Sequence, residues 1–65
     1  NIFELKTTNE DSIYEVFKDG DNKGIAHVSK MAISKKIRMH FNSSSEPLFM
    51  RCSFNSKFNK WEPIS

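Results

Sequence analysis

From Leu48 onward the residues alternate: Leu48, Met50, Cys52 and Phe54 share one side of an extended chain, and Phe49, Arg51 and Ser53 share the other. Such period-2 alternation marks a half-buried β-strand, and a one-residue slip would turn the whole apolar row to water. Pro47 can open this strand but cannot sit centrally in one. Cys52 falls on the apolar row, where it behaves as a small hydrophobe rather than as a nucleophile. Phe49 and Arg51 point away from that row and are candidates for contact with a partner.

Other stretches repeat the pattern. Ile2 to Lys6 alternates, with Phe3 and Leu5 on one side and Ile2, Glu4 and Lys6 on the other. After the polar stretch 7–12, Ile13 to Phe17 is dense in β-branched and aromatic residues, which favour strands. Tyr14 and Val16 share one of its faces. Asp19-Gly20-Asp21-Asn22-Lys23-Gly24 reads as the tip of a β-hairpin, since Gly and Asn tolerate positive φ and Asx side chains close turns on the backbone. A calcium loop is excluded there, because Lys30 stands where a bidentate Glu is required. Gly24 to Val28 reads as the returning strand.

Ser29 to Phe41 changes period. Ile33, Ile37 and Phe41 recur every four residues, which is one face of an amphipathic helix. Ser29 or Ser34 is expected to cap it, and Asn42 to end it. His40 borders the apolar face and is expected to be packed and hydrogen-bonded. Lys35, Lys36 and Arg38 flank Met39 on the other side. Residues 43–47 read as a connection. In the last stretch, Asn55, Ser56 and Asn59 are weak helix formers, and Pro63 disfavours the helical conformation at Glu62. A short loop returning into a strand from Lys60 to Ile64 fits better. Phe54 and Trp61 then brace the core, and Phe58 lies at the loop between Lys57 and Lys60.

The expected fold is α+β: a small, mostly antiparallel sheet of five strands in the order β-β-β-α-β-β along the chain, with one amphipathic helix on one face or end. The expected core is Tyr14, Val16, Ala26, Val28, Ile33, Ile37, Phe41, Leu48, Met50, Cys52 and Phe54. Both a partly open barrel and a grasp-like sheet are compatible with this pattern.

Sixty-five residues make a single small domain. A chain of this size buries only about 60% of its unfolded surface, and small scaffolds usually draw on disulfides, metal or a partner. Cys52 is the only cysteine, so no internal disulfide is possible. Cys52, His27 and His40 are scattered singly, without metal-ligand spacing, and no cofactor is expected. The first residue is Asn, and the last follows the apolar Ile64. The chain is therefore expected to be one domain of a larger protein. A lone free thiol suits a reducing compartment. No apolar run approaches the ~20 residues of a membrane helix, and no signal-peptide pattern is present. The expected location is intracellular, cytoplasmic or nuclear, away from membranes.

The net charge of +2 is unevenly spread. Residues 1–22 hold Lys6 and Lys18 against six carboxylates, whereas residues 23–65 hold eight Lys and Arg against Glu46 and Glu62. Either the two halves neutralise each other across the sheet, or the second half meets an acidic partner. An aromatic between two lysines, as at Phe58, suits a base-stacking platform and equally a protein hot spot.

The segments Met50-Arg51-Cys52-Ser53-Phe54-Asn55 and Lys60-Trp61-Glu62-Pro63-Ile64 resemble the end of the oligonucleotide-binding-fold domain of mRNA capping guanylyltransferases. There, a cysteine-bearing strand is followed by a tryptophan strand. The family usually has Glu before the cysteine, where this chain has Arg51. The resemblance implies that the phosphate-contacting charged motif follows these residues and that the catalytic lysine belongs to a separate domain. The fragment alone would then transfer no nucleotide.

No nucleophile–base spacing and no paired acids point to a catalytic site, so a non-enzymatic role is expected. A protein-interaction or scaffolding module of a larger intracellular protein demands the fewest special residues. Its partner would be another protein, the rest of its own chain or a second copy. The alternative is a nucleic-acid-binding module, for RNA or DNA, acting through its basic, aromatic-containing second half. For either role the candidate contacts are Lys35, Lys36, Arg38, Met39, Phe49, Arg51, Lys57, Phe58, Lys60 and Trp61.

Overall fold

In the computed structural model, which describes residues 1–65, the elements are β1 (Ile2–Thr7), β2 (Tyr14–Lys18), β3 (Asp21–Ile25), α1 (Met31–Ser43), β4 (Leu48–Asn55) and β5 (Lys60–Pro63). The strands form one sheet in the order β3-β2-β1-β4-β5, with every neighbouring pair antiparallel. This is the α+β, β-β-β-α-β-β architecture that the periodicities predict.

The central strand is β1, paired on both sides. Leu5 lies opposite Val16 of β2 and opposite Leu48 of β4. Phe3 and Leu5 face inward and are buried, as are Tyr14, Val16, Met50, Cys52 and the helical Ile37. Pro63, opposite Cys52 on β5, is also fully buried. Helix α1 carries the chain from β3 to β4 and lays Ile33, Ile37 and Phe41 on this inner face. The Phe41 ring stacks on Tyr14 with centroids 5.8 Å apart, and His40 meets Phe41 edge-on at 5.0 Å. His40 Nε2 lies 2.8 Å from the Glu46 carbonyl oxygen. A carbonyl only accepts, so that nitrogen carries the proton. His40 is thus packed and hydrogen-bonded, as its position at the apolar border implies.

The β2–β3 hairpin differs from the expectation. Its loop is only Asp19 and Gly20, between the paired Lys18 and Asp21. Both loop residues have positive φ, 53° and 83°, which is what a two-residue type I′ turn requires and what Asp-Gly supplies. The returning strand therefore starts at Asp21 rather than at Gly24, and residues 26–28 lie past its end. The register then shifts opposite β2 between Glu15 and Phe17. Gly24 absorbs that bulge with φ 101°, and its N–H donates to Asn22 Oδ1 at 2.8 Å. Asp21, Asn22 and Lys23 are exposed, so their polarity, which resembles that of a loop, is tolerated in an edge strand.

Beyond β3 the chain changes partners. Ala26 N–H still donates to Tyr14 O at 2.8 Å, but His27 N–H donates to Trp61 O of β5, also at 2.8 Å. The two edges of the sheet thus meet, and the sheet curls into a partly open barrel rather than a grasp-like sheet.

Two further expectations need correction. The residue preceding the helix is Lys30, with no side-chain cap. Ser29 instead donates its hydroxyl to Glu62, and Ser34 already lies inside the helix, which runs through to Ser43. Phe54 is not core: it is 47% exposed, next to the β4–β5 loop near the end of β4, where the Trp61 ring packs edge-on against it at 5.2 Å. Phe3, Leu5 and Pro63 fill the interior in its place.

Ile37 is the helical residue wholly enclosed by the barrel. Ile37→Ala should cost roughly 2–5 kcal/mol of unfolding free energy. Met39→Ala, two residues along on the exposed side, should stay within about 0.5 kcal/mol. Urea titration followed by circular dichroism checks both values.

Candidate functional site

The β4–β5 hairpin closes with Asn55 paired to Lys60, leaving Ser56 to Asn59 as its loop. Asn55 shapes this loop. Its Oδ1 accepts from the backbone N–H of Lys57 at 3.0 Å and of Phe58 at 3.3 Å, an Asx-type turn. Asn59 takes φ 57°, in the left-handed region that Asn tolerates better than most residues. These contacts fix where Phe58 leaves the backbone. Its ring is half-exposed and stacks on the His27 imidazole, with centroids 4.5 Å apart and planes 24° from parallel. Lys57 Nζ lies 5.7 Å from the same ring. His27 reaches this loop only because the barrel edges meet.

Glu62 on β5 ties the two elements together. Oε2 accepts the Ser29 hydroxyl at 2.7 Å, and Oε1 accepts the Asn55 amide N–H at 3.2 Å. These two bonds, Ser29 first, hold the Glu62 carboxyl below its ordinary pKa; burial opposes them, and the positive charges of His27 and Lys30 add to them. Lys30 therefore belongs to the same surroundings. The resulting cluster is a half-exposed aromatic ring backed by an imidazole, with lysines nearby and a carboxylate whose two oxygens both accept hydrogen bonds.

The ten expected contact residues fall in three places. Lys57, Phe58 and Lys60 belong to the hairpin end, where Trp61 turns inward instead: its ring lies 4.6 Å from Phe3. Phe49 and Arg51 lie on the outer face of the sheet. Ile2 is paired with Arg51 there, and Ile64 donates its backbone N–H to the Arg51 carbonyl. Phe49 is 60% and Ile2 51% exposed. Lys35, Lys36, Arg38 and Met39 are exposed on the helix, whose Ile33, Ile37 and Phe41 pack against the inner face of the sheet. Arg38 makes a long hydrogen bond, 3.4 Å, to Ser12 Oγ. His27, Ser29, Lys30, Asn55 and Glu62 belong to the cluster without having been among the ten expected contacts. Asn55 at the end of β4 was a usable turn signal, and Glu62 meets it across the β4–β5 hairpin; His27 and Ser29 join the site only where the sheet edges meet.

Cys52 is buried at 4% exposure, and burial pushes its thiol up to about 11. It is therefore protonated at neutral pH, and its Sγ lies 3.7 Å from the Met50 carbonyl oxygen. No three His, Cys, Asp or Glu side chains gather as a metal site, and none of the surface clefts is lined by residues of the hairpin end. No helix is long and apolar enough to cross a membrane. No family model matches the chain, and neither a curated protein nor a solved structure matches it.

The lowered Glu62 pKa carries a sign for stability. The folded state binds this proton less tightly than the unfolded chain does. Its stabilisation is therefore present above the ordinary value of 4.5 and is lost as pH falls through the folded value. Thermal melts from neutral pH downward should show wild type losing more stability than Glu62→Gln across that acid range. Parallel curves would mean that the carboxylate contributes nothing.

Proposed function

We propose that the chain is a non-catalytic nucleic-acid-binding module that works through its β4–β5 hairpin end. The observation that carries this reading is the combination of strand order and loop chemistry. Five-stranded, partly open Greek-key barrels of the oligonucleotide-binding type bind through their second and third strands and through the loops joining strands 1 to 2 and 4 to 5. The strand order β3-β2-β1-β4-β5 and the bond between the edges are compatible with such a barrel. The 4–5 loop carries Lys57 and the half-exposed Phe58, a pairing suited to base stacking with phosphate contact. The β2–β3 hairpin carries Glu15, Asp19 and Asp21, which repel phosphate, so of the surfaces that such barrels use the footprint proposed here is the 4–5 loop alone. The likeness of Met50–Asn55 and Lys60–Ile64 to capping guanylyltransferases supports the same reading, since both segments lie along strands β4 and β5. On that likeness the module would serve a larger nucleotidyl-transfer enzyme without performing the transfer.

Fluorescence anisotropy with a labelled oligonucleotide tests the proposal. Binding should be measurable at low salt and weaken as salt rises, with a log–log slope set by the number of phosphates contacted. Lys57→Glu with Lys60→Glu should weaken binding and flatten that slope. Absence of binding at low salt refutes the reading.

A second reading, a protein-interaction or scaffolding module, is favoured by the outer sheet face. Ile2 and Ile64 lie beside Arg51, with Phe49 two residues along, so apolar side chains gather around one cation. Exposed aromatic and Arg groups of this kind serve as protein hot spots. If the isolated domain self-associates in sedimentation velocity, Phe49→Asp should return it to monomer. Unchanged association in that variant removes this face from the interface.

A further inference from the structure

Phe58 and His27 come from distant parts of the chain, one from the β4–β5 loop and one from the segment between β3 and α1. A continuous polar chain runs from Ser29, two residues after His27, to the loop that carries Phe58: Ser29 Oγ to Glu62 Oε2, Glu62 Oε1 to Asn55 Nδ2, and Asn55 Oδ1 to the backbone N–H groups of Lys57 and Phe58; His27 itself is held by its backbone N–H on Trp61 O. Building on the nucleic-acid reading above, we infer that Glu62 is a positioning residue that holds the His27 segment and Phe58 as one platform, and that this platform takes a single unpaired base on the face of Phe58 away from His27.

The geometry restricts the ligand in two ways. His27 already covers one face of the Phe58 ring at 4.5 Å, and Lys57 Nζ lies over the ring 5.7 Å from its centroid, so the site stacks one base at most, on the face that a swing of the Lys57 side chain opens. A base inside a duplex has both faces covered by its neighbours and its edge paired, so only a single strand, loop or frayed end can supply one. Charge selects nucleic acid over an apolar protein side chain. Lys57 and Lys60 flank the ring in sequence, and Lys30 adds positive charge beside Glu62. The nearby carboxylate is held by Ser29 and Asn55.

A positioning role and a bare charge effect predict opposite signs for Glu62. Removing a negative charge beside lysines should by itself tighten phosphate binding. Releasing Asn55 and Ser29 should loosen the platform and weaken base stacking. The test is anisotropy at low salt with labelled oligothymidylate, the same strand with abasic sites, and a hairpin duplex. It compares wild type with Phe58→Ala, His27→Ala, Glu62→Ala, Glu62→Gln and, as a control, Phe49→Ala. Thermal melts accompany each variant, and binding is measured well below each midpoint.

The single strand should bind at least about tenfold tighter than duplex or abasic strand, and Phe58→Ala should weaken it roughly 5- to 150-fold. Glu62→Ala should weaken it despite the lost negative charge, with an unchanged salt slope. Glu62→Gln, which keeps an acceptor, should recover part of the loss, and Phe49→Ala should bind as wild type does. Equal affinity for single strand and duplex overturns the unpaired-base assignment. Binding by Glu62→Ala that equals or exceeds wild type overturns the positioning role. If wild type binds none of the probes, the nucleic-acid reading itself fails. Association with a protein that depends on Phe58 would then give the platform to that partner instead.

Discussion

Strand β1 carries hydrogen bonds to β2 on one side and to β4 on the other, and its Phe3 and Leu5 face the interior. Leu5 is opposite Val16 and Leu48 at once, so the inward rows of three strands are set by one register. A shift of one residue on either side would expose those rows and bury Glu4 and Lys6. The rest of the structure depends on this double pairing. It gives Ile37 and Phe41 of the helix a surface to cover. It also leaves β3 and β5 as the free edges that curl toward each other.

That curl creates the candidate site. The bond from His27 N–H to Trp61 O draws the end of the β3 segment to the start of β5, so the imidazole comes to rest against the hairpin loop. Glu62 and Asn55 then hold the loop. The charge asymmetry of the chain takes on a spatial meaning in the same way. Arg38 of the helix lies beside the β1–β2 loop, in one cleft with Glu10 and Asp11, whereas Lys57 and Lys60 stand at the β4–β5 loop, away from these acids.

Much of the fold was legible because it rests on short-range periodicity. The alternation in Leu48–Phe54, the four-residue spacing of Ile33, Ile37 and Phe41, and the place of Cys52 on an apolar row each report a local backbone state and its buried side. The errors arose where composition and structure part. Asp21, Asn22 and Lys23 look like loop residues but form an exposed edge strand, because the Asp-Gly turn needs only two residues. Phe54 looks like core but stands near the end of β4, beside the hairpin loop, where it stays half-exposed. Ser29 looks like a helix cap, yet its hydroxyl goes to a carboxylate far along the chain.

The candidate site divides along the same line. By itself the sequence determined the elements, their inward faces, the exposed Phe58 between two lysines and the buried, inert thiol, because each follows from neighbours within a few residues. Only the tertiary structure decided the strand order, the meeting of β3 and β5, and the joining of His27, Ser29, Asn55 and Glu62 around Phe58. Those contacts link residues about thirty positions apart, and the entropy of closing such loops is repaid by the assembled core rather than by any local propensity.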